Sequence, residues 1–153
     1  MASDALKSAQ ECLAIQTVNL NHCYANVRPD FDPARYNKDD LICQQFNTLQ
    51  SVDALEFEEE GVSGYRFVYF LGFRLAGKTE DIDAEDYVPK FEIVGSFCAK
   101  YKSSRNLSED EIKAFSENNI AYHVWPYWRE YLQGTAARMG LKEIIEVPMY
   151  RVT

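Results

Sequence analysis

The run WPYWREYLQGTAARMGL, residues 125–141, places a proline, three large aromatics and an Arg-Glu pair at the head of a helical pattern. From Ile120, positions Val124, Trp128, Tyr131, Leu132, Thr135, Ala136 and Met139 recur at spacings of three and four, one buried helix face that ends near Gly140. Pro126 has no amide hydrogen and clashes with the turn before it, so the helix either starts there or is kinked there. Glu130 early and Arg138 late complement the helix dipole. Five rings crowd the entrance: Tyr122, Trp125, Tyr127, Trp128 and Tyr131. Helix neighbours one or two apart point away from each other, so the five cannot all face one core. Core packing accounts for some. The others, Trp125, Tyr127 and Tyr131, need a second surface, and Tyr and Trp favour subunit contacts.

Just upstream, NLSEDEIKAFSENN (residues 106–119) has Ser108 followed three residues later by Glu111, a capping box that predicts a short helix over 108–117. Before it the period changes to two. YRFVYFLGFRLA, residues 65–76, sets Tyr65, Phe67, Tyr69, Leu71, Phe73 and Leu75 on one face and Arg66, Val68, Phe70, Gly72 and Arg74 on the other. The apolar Val68 and Phe70 on that second face call for a ligand or a neighbouring subunit. Residues 90–102 alternate likewise, with a bulge expected at Gly95, and residues 42–60 alternate in their later half before the acidic turn EEEGVSG, a hairpin signal. A further strand runs from Leu13, with a bulge near Gln16-Thr17. Residues 3–12 offer a Ser cap and a short helix. The order is four antiparallel strands and then helices: an α+β domain spanning 1–153, with 1–12 as an N-terminal extension.

Residues 26–41, NVRPDFDPARYNKDDL, hold two prolines, four aspartates and no periodicity, and so form a long connection. It carries Phe31, Tyr36 and Leu41, apolar groups that a merely solvated loop does not need. It reads as a covering flap.

Composition excludes some classes. With 46% apolar and 14% aromatic residues the chain folds. A net charge of -8 opposes phosphate binding, so no nucleic-acid role is expected. The start MASDALKSAQECLA is too polar for a signal peptide and no apolar run approaches bilayer length, so a soluble, cytoplasmic protein without membrane contact is expected. Cys12, Cys23, Cys43 and Cys98 stand singly, without metal-ligand spacing, and suit a reduced compartment as small core residues. His22 and His123 are far apart, with no nucleophile order or phosphate loop around them, so no catalytic residue is assigned. The run Glu56, Glu58, Glu59, Glu60 is read as a solvated turn.

Residues 107–152, LSEDEIKAFSENNIAYHVWPYWREYLQGTAARMGLKEIIEVPMYRV, resemble the SecB and SecB-like chaperone family, in which a short helix leads to an aromatic-Pro-Tyr-x-Arg-Glu helix and an apolar tail. Trp125-Pro126-Tyr127 and Arg129-Glu130 carry the match, and the strand order ahead of them extends it over residues 12–152. The resemblance implies a four-stranded antiparallel sheet with a long helix, assembling as a dimer of dimers. It implies an ATP-independent holdase that keeps unfolded or nascent polypeptides in apolar grooves, with no cofactor and no metal. Carried over by position, the groove takes Phe31, Tyr36 and Leu41 from the crossover. The tail supplies Leu141, Ile144, Ile145, Val147, Met149 and Tyr150, and the strands supply Val52, Leu55, Phe57, Tyr65 and Phe67.

Two departures qualify the likeness. Export members carry a further C-terminal helix and tail, whereas this sequence stops at Thr153, and they present acids on the first strand for SecA, where Gln16, Thr17, Asn19 and Asn21 stand here. Both favour a member outside general secretion, such as a chaperone protecting an antitoxin in a toxin–antitoxin system, with SecA left open as a partner. The alternative is an oligomeric adaptor that binds one folded protein.

Overall fold

The alternation of Tyr65 to Leu75 is realised as an interior strand with both neighbours paired. The computed structural model describes residues 3–56 and 63–147. Its elements are α1 (Asp4–Cys12), β1 (Leu13–Val27), β2 (Leu41–Glu56), β3 (Ser63–Gly77), β4 (Phe91–Ser103), α2 (Glu109–Asn118) and α3 (Ile120–Arg138). The strands form one antiparallel sheet in the order β1-β4-β3-β2, so residues 28–40 carry the chain from one edge to the other. A 3₁₀ turn at Lys38–Asp40 ends this crossover. The acidic turn of the hairpin lies outside the described residues; Glu56 and Ser63 pair on either side of it.

The sheet's inner face carries the core. Phe67 meets Tyr101 edge-on with ring centroids 5.5 Å apart, and Phe115 of α2 closes on both rings at 5.9 and 5.1 Å. Ile120, Val124, Trp128, Leu132 and Ala136 of α3 are buried against the same layer. The helix caps follow the sequence closely. Ser3 accepts from the Leu6 amide at 3.1 Å, and Ser108 and Glu111 make the reciprocal capping box. At the end of α3, Gly140 takes φ +82°, and the amides of Gly140 and Leu141 donate to the carbonyls of Ala137 and Ala136. That is a Schellman stop, and it turns the chain back along the helix.

Two local expectations are resolved or corrected. Helix α3 does not start at Pro126; it begins at Ile120 and runs through the proline. The ring costs the bond to the Tyr122 carbonyl, but Tyr122 and Pro126 lie on the exposed side, where that carbonyl faces solvent. Gly95 is not a bulge, since its pairing to β3 and β1 is regular. It makes room instead: a Cβ there would stand 3.2 Å from Cε2 of Tyr131, whose ring packs over the strand. The register slips of β1 fall at Ile15/Thr17, as the sequence indicated, and at Leu20/His22, which it did not.

Candidate binding groove

Three stretches of chain meet above the β2 edge. Cys43 and Gln45 of β2 with Phe73 and Leu75 of β3 make the floor; Tyr36, Lys38 and Leu41 make one wall; residues 141–146 make the other. They enclose a cavity of about 820 Å³. The floor is built by register, because Cys43 pairs with Leu75 and Gln45 with Phe73, so all four project to the inner face beyond the cover of α3.

The crossover wall is anchored at its base. Phe31 is buried, packing on Tyr36 and Phe91 at 5.3 and 6.5 Å between ring centroids. Arg28 forks onto Asp30 at 2.6 Å and Glu80 at 2.7 Å and donates to the Val88 carbonyl at 2.9 Å, tying the crossover to the β3–β4 loop. Hydrogen bonds from Arg28 and from the Tyr87 hydroxyl lower the Glu80 carboxyl from its ordinary value to about 2. The opposite wall is tied to this one directly. The Lys142 amide donates to the Pro33 carbonyl at 2.9 Å, and its side chain caps Tyr36. Lys38 pairs with Glu143 at 3.3 Å, and Gln133 donates to the Ile145 carbonyl at 2.9 Å. Burial, with Glu143 close by, raises the Tyr36 phenol, and burial raises the Cys43 thiol, so both are neutral near pH 7. A floor on which Phe73 and Leu75 lie beside Cys43 and Gln45, with Lys38 and Glu143 paired at the rim, fits an extended segment with apolar side chains.

A second hollow, of about 470 Å³, lies further along β2 where α2 crosses it, lined by Leu49, Val52, Ile112 and Ser116 with Glu109, Lys113 and Glu117 at its edge.

The residues expected in the groove divide by place. Tyr36, Leu41, Leu141, Ile144 and Ile145 line the larger cavity, and Val52 lines the smaller. Phe31, Tyr65, Phe67 and Val147 are buried in the core and line neither hollow. Tyr65 and Phe67 sit under the helices because their strand is interior, and the Tyr65 hydroxyl accepts from the Leu107 amide at 2.8 Å. Leu55 pairs with Gly64, which puts it on the opposite face of the sheet. Phe57, Met149 and Tyr150 lie outside the described residues. The floor residues Cys43, Gln45, Phe73 and Leu75 escaped the sequence reading, because strand alternation shows a buried face but not where a helix ceases to cover it.

The residues expected at a subunit contact are placed as follows. Tyr127 is exposed on α3; Trp125 and Tyr131 are half-buried against the core, Tyr131 over Phe97. On the outer sheet face Val68 is buried, and Phe70 stacks on Phe46 at 5.5 Å. The edge strand β1 also exposes the apolar side chains Ile15, Leu20 and Tyr24.

A four-stranded antiparallel sheet of this order, a long crossover joining its edges and a bent helical pair laid across one face define the SecB-like fold. No family model matches the chain, and no curated relative matches it by sequence. Among solved structures, the chain is similar to the Mycobacterium tuberculosis Rv1957 SecB-like chaperone in complex with a ChAD peptide from the Rv1956 HigA1 antitoxin. The TM-score is 0.68 at 16% identity, over 94% of this chain and 96% of that one.

Proposed function

We propose that this chain is an ATP-independent holdase chaperone whose single domain keeps an extended apolar segment of a non-native polypeptide in the groove between crossover and tail. The observation that carries the reading is the groove itself: two separate stretches of chain face each other across an apolar floor at the sheet edge. The solved neighbour, a SecB-like chaperone bound to an antitoxin peptide, supports a dedicated client of that kind rather than general export. The proposal assigns no catalytic residue and no cofactor, and it leaves SecA out, because the exposed face of β1 bears Thr17 and Asn19 where docking acids are expected.

Assembly into a dimer of dimers belongs to the same reading. Ile15, Leu20 and Tyr24 on β1 and Tyr127 on α3 are 42 to 49% exposed, an apolar display along an unpaired sheet edge that a second copy would cover. The test is suppression of aggregation of reduced insulin without nucleotide, with particle size measured by light scattering. The expected result is an oligomer that suppresses aggregation at near-stoichiometric ratio. A monomer with no effect overturns the reading.

A further inference from the structure

Half of the groove floor is covered by the groove's own walls. Cys43 and Gln45 on β2 are exposed, whereas Phe73 and Leu75, the apolar half on β3, are 3% and 8% exposed. Both halves line the larger cavity, whose other sides are the crossover and residues 141–146. A stack of side chains leads from the covered half to the mouth. Phe91 lies between Phe73 and Phe31 at 6.3 and 6.5 Å between ring centroids, Tyr36 follows on Phe31 at 5.3 Å, and Lys142 closes over Tyr36 from the facing wall. A segment lying along β2 therefore touches Cys43 and Gln45 as they stand, and reaches Phe73 and Leu75 only where the walls part.

The walls are firm at their bases and lightly tied at their tips. The tail wall is held by the buried Ile145 and Val147, by Gln133 on the Ile145 carbonyl and by the Leu141 amide on the Ala136 carbonyl. The crossover is held at one end by the buried Phe31 and at the other by the Lys78 amide, which donates to the Asp40 carbonyl at 2.9 Å. Between those ends, no side chain of residues 32–37 is fully buried. This span meets the tail through the Lys142 amide on the Pro33 carbonyl, and through the Lys142 ammonium on the Tyr36 carbonyl and ring. Next to it Lys38 pairs with Glu143, the two side chains 78% and 40% exposed. Exposed charge contacts of this kind are weak singly and are screened by salt.

We propose that these ties form a charge latch on the groove: a client segment first lies against Cys43 and Gln45, and gains Phe73 and Leu75 when residues 33–38 part from residues 142–143. The client's part in this rests on the holdase reading; the latch itself does not. Capture then proceeds at the rate at which the walls open, not at the rate of encounter, and ionic strength sets that rate. While the latch is closed the apolar half of the floor stays out of water and out of reach of weak, passing contacts.

The latch is tested without a client in the full chain carrying Leu75→Cys, whose new thiol replaces a covered side chain of the floor. Alkylation by iodoacetamide, a neutral reagent, is followed thiol by thiol by mass spectrometry. Cys98, buried on the opposite face of the sheet, is the control for global opening. Raising sodium chloride from about 0.01 M to about 1 M shortens the Debye length from roughly 30 to 3 Å. Alkylation at position 75 is expected to quicken several-fold over that range, and to quicken likewise at low salt with Lys142→Met, while Cys98 stays unmodified. A rate indifferent to both changes, or one that rises equally at Cys98, overturns the latch. Gating of the client is read by stopped flow with fluorescein-labelled, reduced, carboxymethylated α-lactalbumin. The observed rate is expected to level off as client concentration rises, at a plateau that salt and Lys142→Met each lift several-fold. A rate that stays proportional to client concentration, or a plateau indifferent to both, overturns the gating. Binding by neither protein overturns the holdase reading, and the alkylation rates then still decide the latch.

Discussion

Lys142 reaches across the mouth of the groove to Tyr36, its ammonium 4.3 Å from the ring centroid and donating to the carbonyl of the same residue. One side chain thus fastens the tail wall to the crossover wall through two kinds of contact, a charge over a π face and a charge-assisted hydrogen bond. The fastening is exposed, so it regulates how readily the walls part rather than whether the chain folds. Lys142→Met keeps the stem and removes the charge. Losing about 1–2 kcal/mol of local stabilisation speeds amide exchange in residues 34–40 by roughly tenfold, with global unfolding unchanged. Hydrogen exchange read by mass spectrometry checks it; unaltered exchange there would mean that the Pro33 contact alone holds the walls.

Ile144 and Ile145 are adjacent yet do different things. Ile144 is 86% exposed in the cavity, whereas Ile145 is 7% exposed and belongs to the core. Ile144→Asp therefore weakens binding of an unfolded client about tenfold or more with thermal unfolding unmoved, while Ile145→Asp buries an unpaired carboxylate and lowers stability by several kcal/mol. Calorimetry and client titration of the two variants side by side separate the roles, and equal stability loss from both would remove Ile144 from the groove.

Trp128 is 1% exposed beneath the sheet, in contact with the Tyr131 ring at 6.1 Å. Trp128→Ala leaves a cavity that neighbours from α3 and the sheet cannot fill, at a cost of about 3–5 kcal/mol in chemical unfolding. A loss below about 1 kcal/mol would contradict its burial.

The Arg28–Glu80 pair makes the crossover anchor acid-sensitive in a definite sense. The folded Glu80 carboxyl titrates at about 2 against an ordinary 4.5, so the pair stabilises the fold at pH above 4.5 and that contribution disappears as pH falls toward 2. Glu80→Gln should therefore lower stability at pH 7 and flatten the decline between pH 4.5 and 2. Urea unfolding midpoints across that range measure it, and parallel curves for the two proteins would exclude the linkage.

Where one local signal decided an element, the sequence was enough. Ser108 with Glu111 located the start of α2, Gly140 located the end of α3, and the two-residue period located strand β3. Where the outcome depended on which neighbour arrived, it was not. Nothing local to Pro126 shows that the bond it forfeits lies on the solvent side, so that helix could continue. Nothing local to Gly95 shows that the empty Cβ position admits Tyr131. The groove divided likewise: Tyr36 and Leu41 were visible as apolar residues in an otherwise polar loop, but the floor at Cys43, Gln45, Phe73 and Leu75 exists only through the pairing of β2 with β3. The resemblance supplied the tail wall, and burial then split it into residues that hold the structure and residues that face the cavity.

The pairing of β1 with β4 sets a timetable. Leu13, near the beginning of the chain, finds its partner at Ser103, and Val27, where the crossover departs, is fixed only against Phe91. The crossover wall is thus unsupported until β4 has been made, and the facing wall, residues 141–146, follows later still, after α3. A chain made only as far as β3 has apolar strand edges but no groove. The three parts of the groove come together only after β4 has fixed the crossover and the stop at Gly140 has turned the chain back.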